Sequence, residues 1–393
     1  MYSLNLHIIK GKLLFLLFCI SLLTSVWTVN IYCIVGFSLL CLILLFNAKN
    51  LSLTTILILL YSLLYAIISY CQDTYNSGFA FVSYLISPLA YYCYGQFVAE
   101  KCNSSEKLIR FFCITIFFFS IIINISNLAD IIDYGIVKLT RNIEHIIGGT
   151  STFSATLIGL NVSLGYSTLP FILFNRNKNK LQTTIFIITI TLSLLTVLHL
   201  VNRTGIIITI LCLFFAAIYN SKNNTKKYLI AIFIFLVFGL ILFNTSIGHT
   251  ISDAYVFRSE TEDSIASGNG RTDRWLDAIG KLFLYPFGWY ENTFTYHEYV
   301  HNLWLDIARV VGIFPFIIIV ALTIMSFVKT YKLIHIRQSG LITLILSLQI
   351  CFFASSFVEP VIDALPQYFY LYIMLWGIQD KLYYKIKNNR FIL

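Results

Sequence analysis

Charge is what this sequence has least of: 11% of its 393 residues are Asp, Glu, Lys or Arg, against roughly 25% in soluble domains. A chain so poor in charge cannot clothe a globular surface, which excludes a soluble domain. Paired cysteine motifs are missing too. The nine cysteines are scattered, mostly in apolar stretches (Cys19, Cys33, Cys41, Cys113, Cys212, Cys351), with no C-x-x-C pair and no Cys/His cluster at metal-ligand spacing. They read as small buried hydrophobes. No G-x-x-x-x-G-K-[ST] occurs, which excludes a nucleotide-hydrolysing P-loop. Gly268-Asn269-Gly270 is too short for a dinucleotide fingerprint. Glu260-Thr261-Glu262 is the nearest thing to the D-x-D that holds a metal for nucleotide-sugar transfer. No metal site and no cofactor is expected, so any group transfer must draw on a donor already activated in the membrane.

What is there is apolar. Hydrophobic residues make up 58% of the chain, gathered in blocks of roughly 17–25 residues, each long enough as a helix to cross about 30 Å of hydrocarbon. Inside lipid each backbone amide needs a partner within its own segment, so such blocks are helices. The expected spans are 12–28, 30–46, 51–70, 79–98, 108–127, 151–173, 182–201, 204–220, 228–246, 302–328, 339–357 and 366–381. The expectation is therefore an all-α polytopic membrane protein of about twelve transmembrane helices, a single domain over 1–393. The first block follows Lys10 and Lys12 as a signal peptide would, but no small-residue cleavage site follows it, so it reads as a retained helix.

The loops alternate in charge. With the N-terminus in the cytoplasm, 19 of the 27 basic residues fall on the cytoplasmic side, as the positive-inside rule requires. Both termini are then cytoplasmic, and the net charge of +9 reports orientation, not nucleic-acid binding. Of the 18 acidic residues only Glu100, Glu106 and Asp380 face inward. The polar chemistry is thus expected outside.

One outer loop, 247–301, is long and not low in complexity; it carries Trp275, Trp289, Tyr285, Phe287, Tyr290 and Tyr296. Trp275, Ile279, Leu282 and Phe283 recur at helical spacing, which predicts an amphipathic surface helix over 273–283. Arg271 and Arg274 stand one turn apart near its start. A solvated helix with aromatic anchors is the plainer reading of the same residues. A second outer loop, 128–150, with Asp130, Asp133, Lys138, Arg141, Glu144 and His145, reads as another surface helix of structural role, after which Gly148-Gly149 lets the chain re-enter the membrane.

Two places hold polar residues out of keeping with their surroundings. Arg203, in His199-Leu-Val-Asn202-Arg203-Thr204-Gly205, falls in a very short outer turn at the membrane boundary, where charge is costly and usually functional; a snorkelling arginine on lipid phosphate is the alternative. His301 closes the long loop in His301-Asn302-Leu-Trp-Leu-Asp306-Ile-Ala-Arg309. Asn302, Asp306 and Arg309 share one helix face. Asp306 and Arg309 either pair with each other or act directly. A histidine at the mouth of an outward-facing helix suits a general base.

These residues resemble the O-antigen polymerase and ligase superfamily of bacterial envelope enzymes. Ligases of that kind carry His, then Asn, Ser or Gln, nine residues, Gly, two residues, then Gly, Thr or Tyr. Here His301-Asn302 is followed by nine residues and Gly312, but the last position is Pro315, which departs from the ligase pattern. Arg203 matches an arginine at the outer end of a helix ahead of the loop, and Gly270-Arg271-Thr-Asp-Arg274-Trp275 resembles a Gly-Arg-x-x-x-Trp element within it. The topology covers the whole chain. The resemblance implies metal-free transfer of a glycan from undecaprenyl diphosphate at the outer face of the bacterial inner membrane. It makes Arg203, Arg271 and His301 catalytic, the arginines on the diphosphate and His301 as base. Arg274, Asn302, Asp306 and Arg309 become substrate-binding. A polysaccharide chain-length regulator becomes a possible partner. Pro315 and the run His301-Asn-Leu-Trp-Leu-Asp306 favour a polymerase over a ligase. From another class, a transporter such as a lipid-linked sugar flippase also suits twelve helices. However, the mid-helix positions are almost free of charge, and the long loop does not divide two halves.

Overall fold

The computed structural model describes residues 2–46, 51–72, 78–138, 140, 142–144, 147, 153–175, 179–221, 249–250, 252–254, 256–257, 271–289, 299–336 and 338–392. The expected span 228–246, His145, Gly148-Gly149, Glu260-Thr261-Glu262, Tyr290 and Tyr296 lie outside them. The elements are α1 (Tyr2–Leu23), α2 (Asn30–Leu45), α3 (Leu53–Cys71), α4 (Gly78–Lys101), α5 (Ser105–Tyr134), β1 (Asn142–Ile143), β2 (Phe153–Ser154), α6 (Ala155–Tyr166), α7 (Leu169–Phe174) and α8 (Lys180–His199). There follow α9 (Arg203–Ser221), α10 (Arg271–Leu284), α11 (Leu303–Val311), α12 (Ile313–Ile336), α13 (Gly340–Val358), α14 (Val361–Ala364) and α15 (Pro366–Lys387).

This is an all-α membrane protein. Among the described residues seven helical stretches are long and apolar enough to cross a membrane: α3, α5, α6 with α7, α8, α9, α12 and α13. α3 shows how such a helix is built. Ser52 caps it by accepting the Thr55 amide, satisfying one of the orphan donors of the first turn. One face buries Ile58, Tyr61, Ser62, Tyr65 and Ser69. The other leaves Leu53, Ile56, Leu59, Leu63 and Ile67 exposed, a surface that suits lipid and not water. α1 and α2 add shorter apolar stretches, Gly11–Leu23 and Asn30–Leu45. α4 and α15 occupy two further expected spans, but are rich in tyrosine. Tyr84, Tyr91, Tyr92, Tyr94, Tyr368, Tyr370 and Tyr372 are all buried, so these helices are enclosed by protein on most sides.

The chain folds as two compact units, each discontinuous in sequence. The first comprises Met1–Leu108, Trp275–Leu333 and Ser356–Leu393. At its centre α4 crosses α15 so closely that a Cβ on Gly95 would overlap the Met374 carbonyl oxygen and one on Gly377 the Tyr92 carbonyl oxygen. Glycine alone lets two backbones approach this way. At one end of that crossing the Lys385 ammonium donates to the carbonyls of Ala99, Glu100 and Cys102 and to Asn103 Oδ1, at 2.9–3.1 Å. It thereby closes the C-terminus of α4, where a cation is favoured. The second unit comprises Ile109–Arg274 and Ile334–Ser355. Its α6 packs on α8, and β1 pairs antiparallel with β2, Asn142 opposite Ser154.

Two expectations are corrected. The span expected at 302–328 is two helices: α11 stops at Val311, and α12 runs from Ile313 as the membrane-crossing element. Gly312 has φ +82, a left-handed conformation that ends a helix, and hydropathy alone does not register it. Nor is 128–150 a surface helix. α5 continues to Tyr134, and the chain then turns into β1. Asp130 and Lys138 form a buried pair instead of lying on a solvated face. By contrast, the amphipathic helix expected over 273–283 is α10.

Candidate functional site

In the first unit the segment 299–309 is organised around Asp306. Asn302 caps α11, its Oδ1 accepting the Leu305 amide at 3.2 Å. One turn on, the Asp306 carboxylate reaches back to accept the Val300 amide at 2.8 Å and the Asn302 amide at 3.1 Å. The cap and the carboxylate together fold the chain sharply ahead of the helix. His301 sits at the bend with φ +58, a region that a residue with a side chain occupies at a cost of about 1–2 kcal/mol. Strain of this kind persists where the surroundings over-determine it and gathers at functional sites.

The His301 ring is directed at a carboxylate. Its Nδ1 lies 3.9 Å from Glu359 Oε2, within ion-pair range. Glu359 is 7% exposed and follows directly on α13. Asn302 Nδ2 donates to the Phe357 carbonyl at 3.3 Å, which ties the His301 turn to the same chain end. A second acid, the half-buried Asp363, accepts from Arg309 Nη2 at 3.1 Å, while Arg309 Nε stands 3.7 Å from Asp306 Oδ1. Arg309 also lies 5.7 Å from the Tyr299 ring centroid. Asp306 and Arg309 thus form the pair that their spacing allows, both at most 3% exposed. Burial, then the negative charge of Asp363, push the Asp306 carboxyl up to about 7; Arg309 and the two amides pull the other way.

Trp275, Ala278 and Leu282 of α10 pack with Trp289, Val300, Leu305 and Ala308 in one apolar cluster, and Trp275 Nε1 donates to the Val300 carbonyl at 3.1 Å. The loop after α10 closes on the end of α11: the Trp289 amide donates to Arg309 O, and the Ile313 amide to Pro286 O. A Cβ on Gly312 would overlap Pro286 O. The spacing that the sequence presents, His301-Asn302, nine residues, Gly312, therefore has a local meaning. It is a cap, a nine-residue helix and its terminator.

The second unit holds Arg203, Arg271 and Arg274. Arg271 and Arg274 are half-buried in the first turn of α10. Arg203 begins α9, directly after Asn202, whose Oδ1 accepts the Gly205 amide at 3.2 Å and caps the helix. Its Nη2 is buried and has no hydrogen-bond partner among the described residues. Helix starts of this kind favour negative charge.

Near that turn lies a cluster that sequence reasoning missed. Asp130 accepts from Lys138 Nζ at 3.1 and 3.0 Å through both carboxylate oxygens, and His199 Nε2 stands 2.9 Å from its Oδ2. His199 Nδ1 faces the Ile136 carbonyl at 3.2 Å. All three side chains are at most 6% exposed. Lys138 also meets Glu144 at 3.1 Å. Hydrogen bonds from Tyr134 and Lys138 hold the Glu144 carboxyl below the usual range. Glu359 and Asp363 were missed as well. The available signal was the excess of acids on the side expected to be external, combined with the shortness of the turn between α13 and α15. Among the described residues no His/Cys/Asp/Glu group has the makings of a metal site, and all nine cysteines are free. No protein-family model matches the chain, and comparison with curated proteins finds no similar one.

Proposed function

We propose that this protein is an O-antigen polymerase, a twelve-helix enzyme of the bacterial inner membrane with both termini cytoplasmic. It joins undecaprenyl-diphosphate-linked repeat units into long chains at the outer face, without nucleotide or metal. The observation that carries this reading is Arg203: a half-buried arginine with a buried donor unpaired among the described residues, at a capped helix start, is what a departing diphosphate requires. Charge develops on that group as it leaves, and a preorganised cation stabilises it. Arginine suits the role because it stays charged and offers a planar fork to phosphate oxygens. Arg271 and Arg274 assist on the same headgroup.

His301 is the base that takes the proton from the acceptor hydroxyl as that oxygen attacks the sugar carbon and the bond to the diphosphate breaks. Glu359 beside Nδ1 favours the charged ring that results. Asn302, Asp306 and Arg309 hold the His301 turn, and Asn302 orients His301 or the sugar. A chain-length regulator is the expected partner. The test is a lipopolysaccharide gel from the bacterium with the gene deleted. Loss of long chains with core plus one repeat retained supports the polymerase. Loss of the single repeat as well, with lipid-linked glycan accumulating, makes the protein a ligase instead. An unchanged ladder removes both.

A further inference from the structure

The buried ions of the second unit converge on the turn that leads to Arg203. α8 ends at His199, and four residues later Arg203 opens α9. Between them Val201 has φ +50, a conformation that is a genuine outlier for a β-branched residue. It is held from three sides. The Lys138 amide donates to the His199 carbonyl at 2.8 Å, the Asn202 amide donates to the Val197 carbonyl at 2.9 Å, and Asn202 Oδ1 takes the Gly205 amide. The Lys138 side chain then binds Asp130, which binds His199. Asp130 is surrounded by donors: the Lys138 ammonium, the Glu144 amide at 3.3 Å and His199 Nε2. With Asp130 ionised and Ile136 offering a carbonyl, both ring nitrogens of His199 face acceptors. A hydrogen-bonded set of this kind is the form in which buried charge is tolerated.

We infer that Asp130, Lys138 and His199 are positioning residues that fix the strained turn and so aim the Arg203 guanidinium at its anion. This rests on the reading of Arg203 as the diphosphate-binding residue. It differs from a plain stabilising role in one respect: the network acts on ligand binding through Arg203 and through no other group.

The test is a double-mutant cycle on the full-length protein, with undecaprenyl diphosphate as the probe and native mass spectrometry as the titration. His199→Gln keeps one amide donor towards Asp130 and is the milder variant; Asp130→Asn removes the charge. Either change weakens binding by about tenfold, in the range of couplings within one hydrogen-bond network. Placed on Arg203→Ala, which itself binds weakly, neither weakens it further. If His199→Gln binds as the unaltered protein does, or lowers affinity by the same factor with and without Arg203, the positioning role is overturned while the reading of Arg203 stands. If the unaltered protein does not bind the probe, or Arg203→Ala binds it equally well, the reading of Arg203 falls and takes the inference with it. Should Asp130→Asn fail to fold, His199→Gln alone completes the cycle.

Discussion

His301 Nδ1 stands 3.9 Å from Glu359 Oε2, joining the turn ahead of α11 to the residue that follows α13. A base oriented by a carboxylate acts as a unit, so each partner is expected to matter. On the proposed reading, replacing His301 with Ala is expected to lower polymer formation by a factor on the order of 10²–10⁴. Glu359→Gln keeps the shape but not the charge, and lowers turnover on the order of 10²-fold with protein level unchanged. Polymer yield per unit of purified protein checks both, and unaltered turnover in Glu359→Gln would remove the acid from the mechanism.

Arg203 should not be exchangeable for lysine. Arg203→Lys keeps the charge but loses the fork that meets two phosphate oxygens. Its turnover is expected to fall at least about tenfold, with Arg203→Ala lower still. Equal activity of the lysine variant and the unaltered protein would mean that the arginine supplies only diffuse charge.

Asp306 gives a prediction of sign. Its carboxyl is raised from 3.8 to about 7, so the folded protein holds that proton more tightly than the unfolded chain. The stability it contributes is complete below 3.8 and disappears as pH rises through about 7. Thermal unfolding of the purified protein should therefore show a component that falls between those values. In Asp306→Asn that component should be gone. A difference curve between the two proteins that is flat with pH would contradict this.

Gly312→Ala is expected to destabilise by about 2–5 kcal/mol, combining left-handed strain with overlap against the Pro286 carbonyl. The melting temperature of the variant in detergent measures it. A change within error would mean that the 285–289 loop moves aside at no cost.

Much of the fold was legible because hydrocarbon imposes a simple rule: apolar length makes a helix. That rule found α3, α5, α8, α9 and α13 at nearly their true positions. It is blind to conformation, so it ran a single helix through Gly312 and missed that Asp306 and Arg309 belong to a short helix of their own. The candidate histidine and arginine were visible because they stood out from their surroundings. Their partners were not. Glu359 and Asp363 look like ordinary outer-loop acids, and His199 is distant in sequence from Asp130 and Lys138. No periodicity links residues that meet only through the packing of α5 against the end of α8.

The crossing of α4 and α15 has a consequence for how this protein can change over time. Where side chains fill an interface, spacing drifts by small steps, one methyl group at a time. At Gly95 and Gly377 the main chains themselves meet, and no intermediate residue exists between hydrogen and the first methyl. That junction can be inherited or lost, but not adjusted. Divergence in this unit is therefore confined to the faces turned away from the crossing, and to the loops that α4 and α15 hold at a fixed separation.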